Sequence, residues 1–153
     1  MNHEDYMKEA LDLARKALLK GEVPVGAIIV LNNKIIGRGY NQSIATNDPS
    51  AHAEVVALRD AGNTCKNYRL NKATIYTTLE PCLMCTGALI HSRIKDVIFS
   101  TRDPKSGVIV SNGNLLRKMT FLNHSLSYKE GYLQESSSNL LNEFFIKRRL
   151  KLK

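Results

Sequence analysis

No apolar run in this 153-residue sequence approaches the ~20 residues needed to cross a bilayer, so no spanning helix is expected. The opening Met1-Asn2-His3-Glu4-Asp5 lacks the basic segment and apolar core of a secretory leader, and a cytoplasmic protein is the expectation. Cysteine is scarce as well. Three residues, an odd number, make a poor disulfide framework, and in a reducing compartment they read as ligands or free thiols. A chain of this size buries roughly 70% of its unfolded surface and needs no such staples. There is no internal repeat, low-complexity tract or linker, which leaves one domain over residues 1–153 as the expectation.

Negative charge is in deficit. Fourteen Asp and Glu face 22 Lys and Arg, a formal net charge of +8 and a sequence pI near 9.5. Such a balance favours a polyanionic partner without naming one. The basic residues gather at the end: Lys147, Arg148, Arg149, Lys151 and Lys153 are five of the last seven, and they follow Phe144-Phe145. Aromatic rings that stack on bases, beside cations that neutralise phosphates, would suit an unpaired RNA loop. The plainer alternative is two core phenylalanines and a solvated, frayed end.

Periodicity orders the rest. Met7, Ala10, Leu11, Ala14 and Leu18 predict a helix over 5–20, with Gly21 at its C′ position. An apolar run over 25–31, Asn32-Asn33 and a second run over 34–40 read as a β-hairpin whose first strand is buried on both faces. Asp48-Pro49-Ser50 is a helix-entry signal for a helix over 51–61 that stops at Gly62 and leaves Cys65 in a loop. Strands are expected over 73–79 and 96–100, separated by a helix that Pro81 opens. A short helix near 115–119, a strand near 126–128 and a C-terminal helix from Leu133 complete the pattern. Leu140, Leu141, Phe144 and Phe145 form that last helix's apolar stripe. Helices between strands argue for an α/β fold with a mixed sheet and helices on its faces.

Two motifs carry chemistry: His52-Ala53-Glu54 and Pro81-Cys82-Leu83-Met84-Cys85. Cysteines at i and i+3 on a first helical turn lie about 5–6 Å apart and can share one ion through Zn–S bonds of about 2.3 Å. A helix N-terminus also favours their thiolate forms. His52 and Glu54, at i and i+2, would point about 200° apart inside a helix, so they serve one site only where a helix begins end-on to it. Three zinc-type ligands, His52, Cys82 and Cys85, leave a fourth tetrahedral position open. Glu54 is then free to move protons for hydrolysis. A redox use of Cys82 and Cys85 is the other option, but it leaves His52 and Glu54 unexplained.

His-Ala-Glu followed by Pro-Cys-x-x-Cys resembles the cytidine deaminase-like superfamily, and in particular its tRNA adenosine deaminase branch. The resemblance runs through Glu22-Val23-Pro24-Val25-Gly26-Ala27, Asn67-Tyr68-Arg69-Leu70, Ile90-His91-Ser92-Arg93-Ile94 and Arg102-Asp103 to Arg148-Arg149. It implies a three-layer α/β/α sandwich with a sheet of about five strands. It also implies one Zn2+ per subunit on His52, Cys82 and Cys85, with Glu54 as proton donor and acceptor. The implied partner is a tRNA anticodon loop whose wobble adenosine becomes inosine. A homodimer is implied too. On the same resemblance Asn41 meets the flipped base, Val25 lines its pocket, and Asp103, Lys105, Phe144, Arg148 and Arg149 contact RNA. The sequence departs from the family at Val108-Ile109-Val110, where small residues are usual, and at Tyr40, where tryptophan is common.

Two other functions compete. A guanine or free cytosine-nucleoside deaminase would share the zinc chemistry, but it has no use for a basic helix, since a free base offers no phosphates. An RNA-binding subunit with a structural zinc would have no use for Glu54.

Overall fold

A computed structural model describes residues 1–152; Lys153, counted above in the basic tail, lies outside the described residues. Helix α1 (His3–Leu19) starts from Asn2, whose side chain accepts from Asp5 N while Asp5 bonds back to Asn2 N in a reciprocal cap. Strands β1 (Gly26–Leu31) and β2 (Lys34–Tyr40) form the expected hairpin. Asn32 and Asn33 both take positive φ, 50° and 61°, as a tight primed turn requires. After a short helix α2 (Ser43–Thr46) come α3 (Ala53–Cys65), β3 (Thr74–Leu79), α4 (Leu83–His91) and β4 (Asp96–Thr101). Then follow α5 (Ser111–Lys118), β5 (Ser127–Glu130) and α6 (Gln134–Lys151). Within α5, residues 112–114 are non-helical, so its regular turn is the one the sequence predicts near 115.

The five strands make one mixed sheet in the order β2-β1-β3-β4-β5. β1 is antiparallel to both neighbours, whereas β3, β4 and β5 run parallel. Alternation along the strands divides the core. Ala27, Ile29, Ile75, Val97 and Phe99 face α3 and α4 with Ala53, Ala57 and Leu89. Ile28, Val30, Tyr76 and Ile98 face α1 with Tyr6, Met7 and Ala10. Helix α6 packs on α1 and β4, where Ser137 Oγ donates to Ser100 Oγ at 2.7 Å. The result is the three-layer α/β/α arrangement that the motifs imply.

Two boundaries differ from expectation. Helix α3 starts at Ala53, past the Asp48-Pro49-Ser50 signal, because Asn41 supplies its cap: Ala53 N donates to Asn41 Oδ1 at 2.7 Å. It also runs through Gly62 to Cys65 and ends on Lys66 at φ 54°, so Cys65 is helical and exposed. A glycine lacking stabilising contacts costs a helix about 1 kcal/mol, too little to end this one.

Gly39 fixes the height of α3 above the sheet. A Cβ there would run into the Ala53 carbonyl and the Ala57 amide, both backbone atoms of the turn that follows His52. Gly39→Ala is expected to cost about 1–3 kcal/mol, the usual penalty for overpacking. The measurement is a urea midpoint; a midpoint equal to that of the parent chain would contradict this packing.

Candidate active site

Two helices begin at the same place. His52 is the N-cap of α3 and Cys82 the N-cap of α4, both with extended backbone, φ −73° and −78°. Neither side chain caps its own helix, so both are available to something else. Cys82 thus lies one position before the helix rather than on its first turn, and Pro81 precedes the cap. Cys85, on the first turn of α4 as expected, is fully buried.

The three donors converge. His52 Nδ1 lies 3.7 Å from Cys82 Sγ and 3.5 Å from Cys85 Sγ, and all three ligand atoms fall within 4.8 Å of one another. One imidazole nitrogen and two sulfurs make a donor set suited to a tetrahedral, borderline-soft ion with one position left open. The cluster therefore fits a metal ion. The Cys85 thiol donates to Cys82 and, with His52 alongside, holds Cys82 down to about 4. Cys85 itself is pushed up by that thiolate and by burial. His52 is raised by its hydrogen bond with Cys82, against the opposing effect of burial.

A cavity of about 560 Å³ opens over the cluster. His52, Cys82, Glu54, Asn41, Val25, Asp103 and Lys105 all line it, so seven of the residues singled out in the sequence share one space. Glu54, on the first turn of α3, is 4% exposed, and burial pushes its carboxyl up to about 7. Asn41 reaches the site from the end of β2. Its Oδ1 is committed to Ala53 N, which fixes the amide orientation and leaves its NH2 group as the free part.

The segment 102–111 supplies a further wall through Arg102, Asp103, Pro104, Lys105 and Ser106. Asp103 Oδ1 accepts from Lys105 N and Ser106 N, both at 3.2 Å, and its carbonyl accepts from Gly107 N at 2.8 Å. It shapes the turn as well as facing the cavity. Val108 N donates to Pro81 O at 3.1 Å, tying this segment to the start of α4. The departure at Val108-Ile109-Val110 is explained by burial: Val108 and Ile109 are core residues, 5% and 0% exposed.

Comparison with known proteins agrees with this geometry. A family model described as MafB19-like deaminase matches residues 1–149. A tRNA-specific adenosine deaminase of Haemophilus influenzae is 48% identical over 147 residues, 95% of this chain and 84% of that protein. One from Bacillus subtilis is 43% identical, covering 98% and 92% of the two chains. The chain belongs to the tRNA-specific adenosine deaminase family. A solved structure from a study of A-to-I editing by tRNA:A34 deaminases at the wobble position matches with a TM-score of 0.86 and 34% identity, over 90% of this chain and 99% of that one. The fold is accordingly the cytidine deaminase-like one.

For a member of this deaminase family, the remaining sequence candidates divide. The cavity is lined by Phe145, 45% exposed, while Phe144 is 8% exposed and packs edge-on against it with ring centroids 5.3 Å apart. Arg148 lies over the Phe144 ring at 5.9 Å. Arg148 and Arg149 are exposed and stand outside the cavity wall. Both phenylalanines belong to the apolar stripe, and its helical spacing does not distinguish them without knowing how α6 is rotated on the sheet.

Glu80 is a site residue that the sequence motifs did not single out. It is 1% exposed and lines the cavity. Its carboxylate accepts from Asp103 N at 3.0 Å, Val110 N at 2.8 Å, Ser111 N at 2.9 Å and Ser111 Oγ at 2.7 Å. Gly107 presses so close that a Cβ there would strike this carboxylate. Glu80→Gln puts an NH2 group among these donors and removes the charge, at an expected cost of about 1–3 kcal/mol. Limited proteolysis is expected to cut residues 102–111 faster in the variant; a parental cleavage rate would contradict the bracing role.

Proposed function

We propose that this protein hydrolyses the 6-amino group of the wobble adenosine in a tRNA anticodon, giving inosine and ammonia, as a single zinc-dependent deaminase domain. One observation carries the reading: a cavity that brings an unliganded buried carboxylate, Glu54, to the mouth of a His-Cys-Cys cluster. Hydrolytic deamination needs that pairing, and a structural zinc site does not.

His52, Cys82 and Cys85 would hold the zinc ion, which when bound supplies Lewis acidity and lowers the pKa of water to about 7. The chain's own residues do the rest. Glu54 takes one proton from the attacking water and delivers it to a ring nitrogen; it then takes the second, from the hydroxyl now bonded to the ring carbon, and delivers it to the amine, which departs as ammonia. The free NH2 of Asn41 donates to an acceptor on the base edge. Val25 packs against the base, which must leave its stack to reach the cavity. Phe145 offers a ring for a neighbouring base, with Phe144 behind it, and Lys105, Arg148 and Arg149 meet phosphates. Asp103 holds the turn that presents Lys105. Leu83 and Met84, 53% and 40% exposed on the first turn of α4, support a homodimer with an apolar contact beside the site. No helix among the described residues is long and apolar enough to cross a membrane, and a tRNA substrate supports a cytoplasmic location.

The decisive experiment incubates the protein with a tRNA carrying adenosine at the wobble position and looks for inosine by nuclease digestion. Ammonia from guanine or cytidine, with no inosine in tRNA, would overturn this function. Glu54→Gln is expected to keep one zinc per chain while losing at least about 1000-fold in kcat, within the 10²–10⁴ range of proton-transfer catalysis. Near-parental turnover in that variant would contradict the role given to Glu54. Chelation by a strong zinc ligand is expected to abolish activity, with recovery on adding zinc.

A further inference from the structure

The C-terminal end of α1 carries a feature that deamination does not explain. Lys16 and Lys20, one helical turn apart, both turn onto the Tyr40 ring, their Nζ atoms 5.3 and 5.4 Å from its centroid. Neither ammonium is ion-paired among the described residues. The helix dipole accounts for cations at this end. It does not account for two of them converging on one ring, since like charges at i and i+4 repel by a few tenths of a kcal/mol.

The position of the ring supplies what is missing. Tyr40 is followed directly by Asn41, whose side chain lines the cavity, and Val23, three residues after Lys20, lines it too. Asn41 N donates to Val25 O at 3.2 Å, closing the same corner of the wall. Helix α6 packs on α1, and its Leu141, Asn142 and Phe145 line the same cavity. The Tyr40 ring and its two ammoniums lie outside the cavity lining and adjoin this corner of its wall through Asn41 and Val23, next in the chain to the group that would meet the flipped base. A half-buried aromatic ring holding two unpaired ammoniums matches a phosphate flanked by ribose.

We propose that Lys16 and Lys20, gathered on Tyr40, grip a backbone phosphate of the RNA next to the nucleotide that enters the cavity. This interaction rests on the tRNA reading above. It adds to that reading a further phosphate station, besides those at Lys105 and at Arg148 and Arg149. It also gives Tyr40, where tryptophan is common in the family, a use for its ring and hydroxyl.

The test compares the parent chain with Lys16→Gln/Lys20→Gln, measuring affinity for a wobble-adenosine tRNA between about 50 and 200 mM salt. The variant is expected to bind about tenfold more weakly. Its slope of log K against log salt should be shallower by about 0.7 for each single-strand phosphate that is no longer neutralised. Lys16→Arg/Lys20→Arg keeps the charges and is expected to restore both values. Lys34→Gln/Lys72→Gln removes two charges near the opposite end of β1 and β3 and controls for bulk charge; it is expected to stay within about twofold of the parent, since charges remote from the RNA are screened by salt. Unchanged affinity and slope in the glutamine variant, or an equal weakening in the control, would overturn the proposal while tRNA deamination stands. A parent chain that neither binds nor deaminates the tRNA would overturn both.

Discussion

Two helix N-termini aimed at one point set the terms for the whole site. The start of a helix leaves backbone N–H groups unpaired and carries about half a positive charge. Bringing α3 and α4 together in this way opposes like ends, so the arrangement is stable only with negative charge between them. The Cys82 thiolate supplies it, held well below the usual thiol range. The N-cap side chains His52 and Cys82 face each other instead of capping their own helices. That is a local loss of capping, and the compensation comes from elsewhere in the chain.

Of three polar side chains that accept from backbone N–H groups around the site, half-buried Asn41 provides it for α3, while buried Glu22 and Glu80 hold the neighbouring segments. Asn41 serves Ala53 N at the start of α3. Glu22, 2% exposed, accepts from Ile44 N and Ala45 N at 3.0 and 2.8 Å and so anchors α2, which leads into α3. Glu80 braces residues 102–111 through the backbone amides of Asp103, Val110 and Ser111 and the Ser111 hydroxyl. Burial alone would raise the Glu80 carboxyl, but these donors outweigh it and hold the group below its ordinary value. Loops bracketed in this way keep a defined shape without strand pairing, because releasing a buried charged acceptor leaves it unsatisfied.

The sequence was most legible where short-range rules govern. Gly21 at φ 77° and the positive φ values of Asn32 and Asn33 follow from local chemistry alone. So does the alternation that divides Ala27 and Ile29 from Ile28 and Val30. The spacing of His52, Glu54, Cys82 and Cys85 was enough to require two helix starts at one site. What escaped was carried by distant partners. The true start of α3 depends on Asn41, twelve residues upstream, and no periodicity reveals that bond. The role of Glu80 is hidden from short-range rules because its partners lie 23 to 31 residues away. The choice of Phe145 over Phe144 at the cavity depends on the rotation of α6, which Ser137 sets by packing on Ser100.

Cavity size and charge placement together explain why substrate identity is written outside the catalytic centre. About 560 Å³ lies within the range of pockets that enclose a single small molecule, so one nucleoside can enter and an anticodon loop cannot. The cavity interior holds Glu54 and Asn41, which in the proposed function are the proton-transfer and base-edge groups that any purine deaminase would need. Discrimination in favour of RNA then has to come from groups that the rest of the loop touches. In the proposed function α6 supplies a set of them: at 18 residues it is about 27 Å long. It passes the cavity at Leu141 and Phe145 and carries Arg148, Arg149 and Lys151 beyond it. Its lower turns are tied to β4 through Ser137 and Ser138, so the basic end is held on a fixed axis. In the proposed function chemistry thus falls to the helix starts at the cavity floor, and recognition of RNA to groups at its mouth and along α6.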